Sequence, residues 1–234
     1  MPGAAESRLA GMFDRAERSS RCLVLKSQAD ERAARRRSDR IIFLAHRICV
    51  RAAYWSRLGP KERLVHLARS LPEIHPKWVF AYTTAAVLHG LYVSFADIQQ
   101  DGSPVLYVRG KTREIEYTGF TVRFRPFAPN PGSPTRVLGV PVIDLFTTAL
   151  ECACALPFPR ALAIADSVAR FYGLGREQML GMVEICGRGH PAVSRRAPGV
   201  RARQRAERER GRVHRARRDD RGGVPGAAAP GRGG

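Results

Sequence analysis

The most specific ten residues of the chain lie near its middle. They read Tyr82-Thr83-Thr84-Ala85-Ala86-Val87-Leu88-His89-Gly90-Leu91. The pattern predicts a short helix, because Thr83 or Thr84 can accept one of the first free backbone N–H groups and alanine favours the helical conformation. Gly90 stands where a helix commonly ends in a left-handed residue. We expect His89 to be a core or capping histidine, since its neighbours offer no nucleophile.

Positive charge is concentrated at the two ends of the chain. Of the formal net charge of +19, residues 1–70 and 195–234 contribute +9 each, and residues 71–194 contribute +1. The near-neutral middle predicts a globular domain, whereas basic ends are typical of segments that contact nucleic acid. With 234 residues, the chain is long enough for one ordinary domain and a small one.

The last part of the chain is dominated by Arg, Gly, Ala and Pro, and no aromatic residue follows Tyr172. Such a composition cannot bury enough apolar surface to offset the entropy of the chain. We therefore predict that residues 191–234 form a disordered tail. Three origins stay open for it: a genuine basic arm that binds nucleic acid non-specifically, a shift of reading frame in a GC-rich gene, and a linker.

The cysteines carry neither a metal-binding nor a secretory pattern. Their spacing does not repeat, and they are Cys22, Cys49, Cys152, Cys154 and Cys186. Cys152 and Cys154 point to different faces of a predicted helix and make a poor chelate. The first residues do not resemble a signal peptide, and no run approaches the roughly 18–20 apolar residues that span a bilayer. We expect a cytoplasmic protein with no membrane contact, no metal and no cofactor.

The N-terminal part suggests a small nucleic-acid-binding module. Ala4 to Arg18 shows helical apolar spacing, and Cys22 to Leu25 is interpreted as the start of a second short helix. A basic helix follows. Ile41 to Leu44 and Ile48 to Val50 are then two β-branched runs joined by a short basic connection, which predicts a hairpin. Helix, helix, basic helix and hairpin are the order of a winged helix-turn-helix domain, and we assign residues 1–58 to such a module.

Arginine side chains of this module are the candidate DNA contacts. We expect Asp30 to cap the basic helix. In a winged module this helix enters the major groove, with the hairpin beside it. A run of arginines on a helix is also typical of a solvated face without a ligand, and periodicity alone does not separate the two interpretations. The candidates for phosphate and base contacts are Arg32, Arg35, Arg36, Arg37, Arg40, Arg47 and Arg51.

Residues 59–190 are predicted to form a mixed α/β domain, so that the whole chain belongs to the α+β class. Pro60 to Ser70 reads as a helix. The segment 120–125 alternates apolar and polar residues, as does a strand buried on one face. A mainly helical half follows, in which we expect Leu162, Ala165, Val168 and Tyr172 to share one face.

The segment from residue 82 to residue 91 also resembles a signature in the second domain of AbiEi-type antitoxins, the transcriptional-repressor half of type IV toxin–antitoxin systems. The matching positions are Thr83, Ala85, Ala86, His89, Gly90 and Leu91. The family's N-terminal order of Arg-rich helix, strand, basic turn and strand is similar to the order expected here. The chain departs from the family at Asp39, where a turn glycine is common.

The resemblance implies a DNA-binding regulator that represses its own operon by binding double-stranded DNA at its promoter. It also implies a second partner, a nucleotidyltransferase-like toxin encoded by the adjacent gene. Relatives of the family often continue into a module similar to very-short-patch-repair endonucleases. The alternative function is therefore a truncated relative of a nuclease-associated protein whose catalytic module is lost. A third possibility is a basic protein that binds any DNA equally.

We expect no catalytic activity in this chain. Restriction-like nuclease chemistry needs an acidic residue and an Asp/Glu-x-Lys pair on adjacent strands to hold Mg²⁺. The segment Glu114-Ile115-Glu116 lacks the lysine, and we interpret it as a polar strand edge. A glycine-rich loop that could cradle phosphates is also missing from the sequence.

Overall fold

A computed structural model of the chain describes residues 4–37, 39–126 and 133–187. These residues form a mixed α+β protein with several small sheets, as the sequence predicts. The disordered tail predicted for residues 191–234 lies outside the described residues. In the part of the chain that is described, each helix is too short or too polar to cross a membrane.

The N-terminal elements confirm two sequence predictions. The first helix has the expected bounds, and the expected hairpin is present, with its turn at His46 and Arg47. The elements are α1 (Ala4–Arg18), β1 (Leu23–Val24), α2 (Gln28–Arg35), β2 (Ile41–Ala45), β3 (Ile48–Arg51) and the short α3 (Ala52–Trp55).

The segment from Cys22 to Leu25 contains a strand, and the prediction of a helix there was wrong. β1 pairs antiparallel with β3, with Leu23 opposite Cys49, and the sheet order is β1-β3-β2. All four residues of the segment are buried, with Cys22 and Val24 in one core cluster and the alternate residues in another. A strand covered on both faces reads as a continuous apolar run, which periodicity cannot distinguish from a buried helix. One helix therefore stands between β1 and β2.

The basic helix α2 begins at a different cap from the expected one. Ser27 is the N-cap, and its hydroxyl oxygen accepts the backbone N–H of Asp30 at 3.1 Å. Asp30 lies in the first turn, where its carboxylate accepts hydrogen bonds from the Ser27 hydroxyl and from the Arg8 guanidinium of α1. These two contacts, the Ser27 bond first, lower the pKa of Asp30. The Asp30 carboxylate therefore connects α2 to α1 and does not cap α2.

The second half of the described chain contains five α-helices and a pair of short strands around a four-stranded sheet. The sheet order is β4-β5-β7-β6, with β5 and β7 parallel and the polar strand β6 at one edge, as predicted for Glu114 and Glu116. The elements are α4 (Pro60–Ser70), α5 (Tyr82–Leu88), β4 (Gln99–Gln100), β5 (Ser103–Arg109), β6 (Arg113–Glu116), β7 (Thr121–Arg125), β8 (Thr135–Val137), β9 (Val140–Val142), α6 (Leu145–Ala155), α7 (Phe158–Tyr172) and α8 (Arg176–Gly187).

The helix in the 82–91 segment, α5, is present and ends as predicted, but its threonines do not cap it. The N-cap is Ala81, which makes no side-chain cap bond. The Thr83 hydroxyl donates to the backbone oxygen of Asp97, and the Thr84 hydroxyl accepts the backbone N–H of Tyr107. Both hydroxyls thus satisfy distant backbone groups inside the core, which sequence spacing alone does not reveal. Gly90 has a φ of +78°, the left-handed ending that was expected.

The buried face of α7 agrees only in part with the expected one. Of the residues expected to share a face, Val168 is buried, whereas Leu162 is 46% exposed and Tyr172 is 56% exposed. Ala161 and Ile164 pack into the core together with Val168. The helix is apolar on more than one side, so two alternative stripes fit the sequence equally well. Packing against α6 determines which apolar stripe of α7 is buried. The sequence alone does not show which stripe this is.

The N-terminal sheet shares its hydrophobic core with the residues that follow it. Leu44 and Ile48 belong to the same buried cluster as Leu64 and Phe120. The backbone N–H of Gly119, in the β6–β7 connection, donates to the Leu44 oxygen at 3.0 Å. The division into modules 1–58 and 59–190 stays a prediction about the organisation of the chain.

Candidate nucleic-acid interface

Helix α2 places its arginines on three different sides. Ala34 is fully buried, so it marks the face that packs against the core. At about 100° per residue, Arg32 and Arg36 lie opposite Ala34 and face outward. Both side chains are exposed, and no acidic side chain among the described residues pairs with either of them. These two cations are available to a ligand.

The other α2 arginines are engaged within the chain. Arg35 pairs with Glu31 one turn earlier at 2.8 Å, and its guanidinium lies 4.6 Å from the centre of the Phe43 ring on β2. Arg37 follows the helix and pairs with Glu6 of α1 at 2.7 Å. Their charges are therefore partly compensated, and their positions are determined by intramolecular contacts.

Arg40 also has a partner within the chain. Its Nε lies 3.3 Å from a carboxylate oxygen of the neighbouring Asp39. Both side chains are more than two-thirds exposed, at 77% and 71%, so water screens this pair strongly. Arg40 is thus the least restrained of the paired arginines. The Asp39 carboxylate reduces the local positive charge.

The hairpin turn contacts α2 through the Glu31 carboxylate. His46 Nδ1 is 3.3 Å from Glu31, and the Arg47 charge acts on the same carboxylate. The Arg35 hydrogen bond is the largest of several contributions that lower the pKa of Glu31. Arg47 also donates through Nε to the backbone oxygen of Leu25 at 2.7 Å, which fixes the guanidinium at the base of β1 without neutralising it.

Arg51 is held by several contacts with α1. Its guanidinium bonds the carboxylates of Asp14 and Glu17 at 2.6 and 3.1 Å, and donates to the Ala10 oxygen at 2.9 Å. The same group lies 5.3 Å from the Phe13 ring. All four contacts belong to α1. Arg51 therefore connects β3 to α1.

Three of the seven sequence candidates remain without a carboxylate partner among the described residues. We call this set the open basic face, and it consists of Arg32, Arg36 and Arg47. Arg32 lies on α2, Arg36 is the C-cap of α2 one turn later, and Arg47 lies at the hairpin turn. Arg35, Arg37 and Arg40 surround this set in ion pairs. This division could not be predicted from the sequence, because the partners of Arg37 and Arg51 lie more than thirty positions away.

The side chains of the AbiEi-like signature have packing roles. Thr83, Ala85 and Ala86 are fully buried. His89 donates from Nε2 to the backbone oxygen of Ile143 at 2.8 Å, which agrees with a capping or core histidine. Leu91 is buried as well. This segment supports the fold, and it presents no open constellation of polar groups.

Near the signature, a buried ion pair connects the sheet to α6. Arg109 Nη2 lies 2.9 Å from Glu151, and the two side chains are 2% and 15% exposed. Burial raises the pKa of Glu151 more than the adjacent Arg109 charge lowers it. Arg109 lies at the end of the buried strand β5, and the sequence does not indicate that it pairs with Glu151.

The described residues contain no group of three or more His, Cys, Asp or Glu side chains placed to hold a metal ion. Glu114, considered for nuclease chemistry, is paired with Arg123. Burial raises the pKa of the Cys22 and Cys152 thiols, and it raises the pKa of Cys49 to about 12. These thiols are therefore protonated near neutral pH and poorly nucleophilic.

A further group of cations lies near β1 and was not predicted from the sequence. Arg21, Lys26 and Arg69 line a groove between α1, β1 and α4. They are scattered through the sequence, and a search for clustered charge does not find them.

Comparison with known proteins gives no relative for this chain: no protein-family model, curated protein or solved structure matches it.

Proposed function

We propose that the chain is a sequence-selective DNA-binding protein that represses transcription from its own promoter, in the manner of an AbiEi-type antitoxin. The N-terminal module would act as a shortened winged helix, with α2 in the major groove and the β2–β3 hairpin along the backbone. The single observation that carries the proposal is the open basic face. Its two α2 arginines project away from the core with no carboxylate among the described residues to neutralise them.

The basic helix and the spacing of its arginines suit binding in the major groove. An α-helix fits the major groove of B-DNA, and an arginine can form a bidentate contact with guanine there. Arg32 and Arg36 are one turn apart on α2, so both can approach the same groove. Arg47 at the hairpin turn is placed for a phosphate contact. The sheet order β1-β3-β2 supports a wing-like hairpin, while the single helix between β1 and β2 makes the module smaller than a full helix-turn-helix.

The direct test removes the two outward arginines of α2. Affinity is measured for a duplex from the region upstream of the chain's own gene and for a scrambled duplex of the same composition. We expect the Arg32→Ala/Arg36→Ala protein to lose about tenfold or more in affinity for the upstream duplex and most of its preference over the scrambled one, since each base contact contributes about 1–3 kcal/mol.

A matched control removes the same charge elsewhere. The Arg170→Ala/Arg176→Ala protein loses two exposed arginines of the helical half, so its net charge equals that of the α2 variant. It should retain the preference for the upstream duplex. Equal losses in the two variants would show that only total charge matters and would refute sequence-selective binding by α2.

The toxin partner implied by the resemblance stays a prediction. Co-expression with the product of the adjacent gene, followed by growth measurements with and without this chain, tests it separately from DNA binding. Repression is tested by a reporter gene placed behind the upstream region.

A further inference from the structure

A second basic surface lies in a groove beside β1, which we call the β1 groove. It has a volume of about 540 Å³ and lies between the second half of α1, β1 and the end of α4. Four cationic side chains line it, and Glu73 is the single carboxylate among the described residues that do so. The four cations are Arg15, Arg21, Lys26 and Arg69.

Arg69 holds a donor without an acceptor. Its Nε is buried and has no hydrogen-bond partner among the described residues. A buried N–H of a charged group that lacks a partner costs free energy. Rotation of the Arg69 side chain toward an acceptor in the groove would recover it. The neighbouring Ser70 hydroxyl bonds other groups: it accepts the backbone N–H of Cys22 at 2.8 Å and donates to the His66 oxygen at 2.7 Å.

The outer edge of β1 adds a backbone donor to the groove. The Leu25 N–H donates to the Arg47 oxygen at 2.9 Å, so Leu23 and Leu25 direct their backbone groups toward β3. In an antiparallel pair the alternate residue faces the other way. The N–H of Val24 therefore points away from β3, on the side where Val24 lines the groove.

Glu73 neutralises only part of this charge. Its carboxylate lies 3.2 Å from Arg21 and 3.4 Å from Lys26. All three side chains are substantially exposed, at 32% to 78%, so these pairs are screened by water and weak. Four cations against one carboxylate leave the groove positive. Guanidinium and ammonium donors in an open cleft favour the oxygens of a phosphate group.

The β1 groove and the open basic face are linked along the chain at the end of β1. Arg47 of that face donates to the backbone oxygen of Leu25, and Lys26 of the groove is the next residue. Ser27, the N-cap of α2, follows directly.

We propose that the β1 groove binds a backbone phosphate of the DNA duplex whose bases α2 contacts. This inference rests on the proposed function and deepens it. The groove would orient the protein on the duplex and add affinity, whereas the open basic face would select the bases. Phosphate contacts position a protein on the duplex without reading sequence.

Two substitutions with opposite expected effects test the proposal in the full-length chain. Arg69→Met removes the buried donor and keeps an apolar stem of similar length. It should lower affinity for the upstream and scrambled duplexes by the same factor, about tenfold. It should also reduce the slope of log affinity against log salt by about 0.9. Glu73→Gln removes the competing carboxylate and should raise affinity for both duplexes.

Glu177→Gln is the matched control for the second variant, since it removes an exposed carboxylate from α8 and changes the net charge equally. It should leave affinity close to that of the unsubstituted chain. Should Arg69→Met fail to fold, the comparison of Glu73→Gln with Glu177→Gln still decides the matter, because Glu73 is a surface residue.

The outcomes separate this inference from the proposed function. Equal binding of both duplexes by the unsubstituted chain contradicts the proposed function. The groove proposal is wrong if the unsubstituted chain prefers the upstream duplex but Arg69→Met and Glu73→Gln leave affinity and salt slope unchanged. That result leaves the proposed function unaffected. Binding of a polyglutamate peptide that depends on Arg69 and is not displaced by duplex would overturn the proposal. Binding of inorganic phosphate that depends on Arg69, with duplex affinity unchanged, would do the same.

Discussion

Seven arginines that look equivalent in the sequence have different physical roles in the fold. Arg32 and Arg36 face outward without a carboxylate partner among the described residues, whereas Arg51 makes four contacts with α1. A guanidinium that is already bidentate to carboxylates must break those bonds before it can contact phosphate. The number of arginines in the segment therefore overstates the charge that is available to DNA.

His66 shows how one side chain couples stability to pH. Its ring is buried on α4, and Nδ1 lies 2.7 Å from the backbone oxygen of Glu62, so Nδ1 carries the hydrogen. Nε2 then accepts the hydroxyl of Tyr54 at 2.8 Å. Burial lowers the pKa of His66, outweighing the Glu62 hydrogen bond, which raises it. The neutral ring is the form that fits the fold.

The consequence for stability follows from the sign of this shift. Between the lowered pKa in the fold and the ordinary value of about 6.5, the unfolded chain binds more protons at this site. The stability that His66 contributes is therefore complete above about pH 6.5 and is lost as the pH falls through that window. Urea midpoints at pH 7.5 and pH 5.5 should differ less in His66→Gln than in the unsubstituted chain. An identical decrease in both proteins would contradict this role.

Helices and hairpins with strong local signals were predictable from the sequence. α1 and α4 appear with their expected bounds, because apolar spacing and Pro60 at the first helical position define them locally. The β2–β3 hairpin follows from two β-branched runs with a short polar connection. In each case the residues that determine the element lie within it.

Elements whose identity depends on distant partners were not predictable. β1 is a strand because β3, twenty-five positions later, pairs with it. Thr83 and Thr84 bond a loop and a strand that follow fourteen and more positions further on. Of the proposed interface, the sequence identified the arginines, but it could not identify which have carboxylate partners or that Arg69 lies near β1.

The contact between the β6–β7 connection and β2 is closely packed. A Cβ atom added to Gly119 would overlap the Leu44 side chain and lie 3.0 Å from the Leu44 Cα. Because the second neighbour is backbone, the strain cannot be relieved by a side-chain rotation alone. We expect Gly119→Ala to destabilise the protein by about 1–3 kcal/mol through overpacking, measured by urea unfolding.

Gly181→Ala is the control for this substitution. Gly181 lies within α8, where an added Cβ meets no atom within 4 Å. Replacing a helical glycine with alanine should be neutral or stabilising by up to about 1 kcal/mol. If Gly119→Ala unfolds at the same urea concentration as the unsubstituted chain, the β2 contact is looser than described and does not fix the N-terminal sheet.

The distribution of charge over the chain separates two kinds of DNA binding. Residues 195–234 carry a net charge of +9, as much as residues 1–70, although they contain no Leu, Ile, Met, Phe, Trp or Tyr to form a core. Charge alone supports non-specific binding that weakens steeply with salt. Selective binding requires cations presented by a folded scaffold, and in the described residues Arg32, Arg36 and Arg47 meet that condition.

Deleting residues 195–234 tests this separation. The shortened chain should bind both the upstream and the scrambled duplex more weakly, with a smaller salt slope, because fewer counterions are released. The ratio of the two affinities should stay the same, since the open basic face and the β1 groove are intact. Fluorescence anisotropy at two salt concentrations gives both quantities. If the ratio falls to one in the shortened chain, selectivity depends on the deleted segment, and the proposal that α2 reads the promoter is wrong.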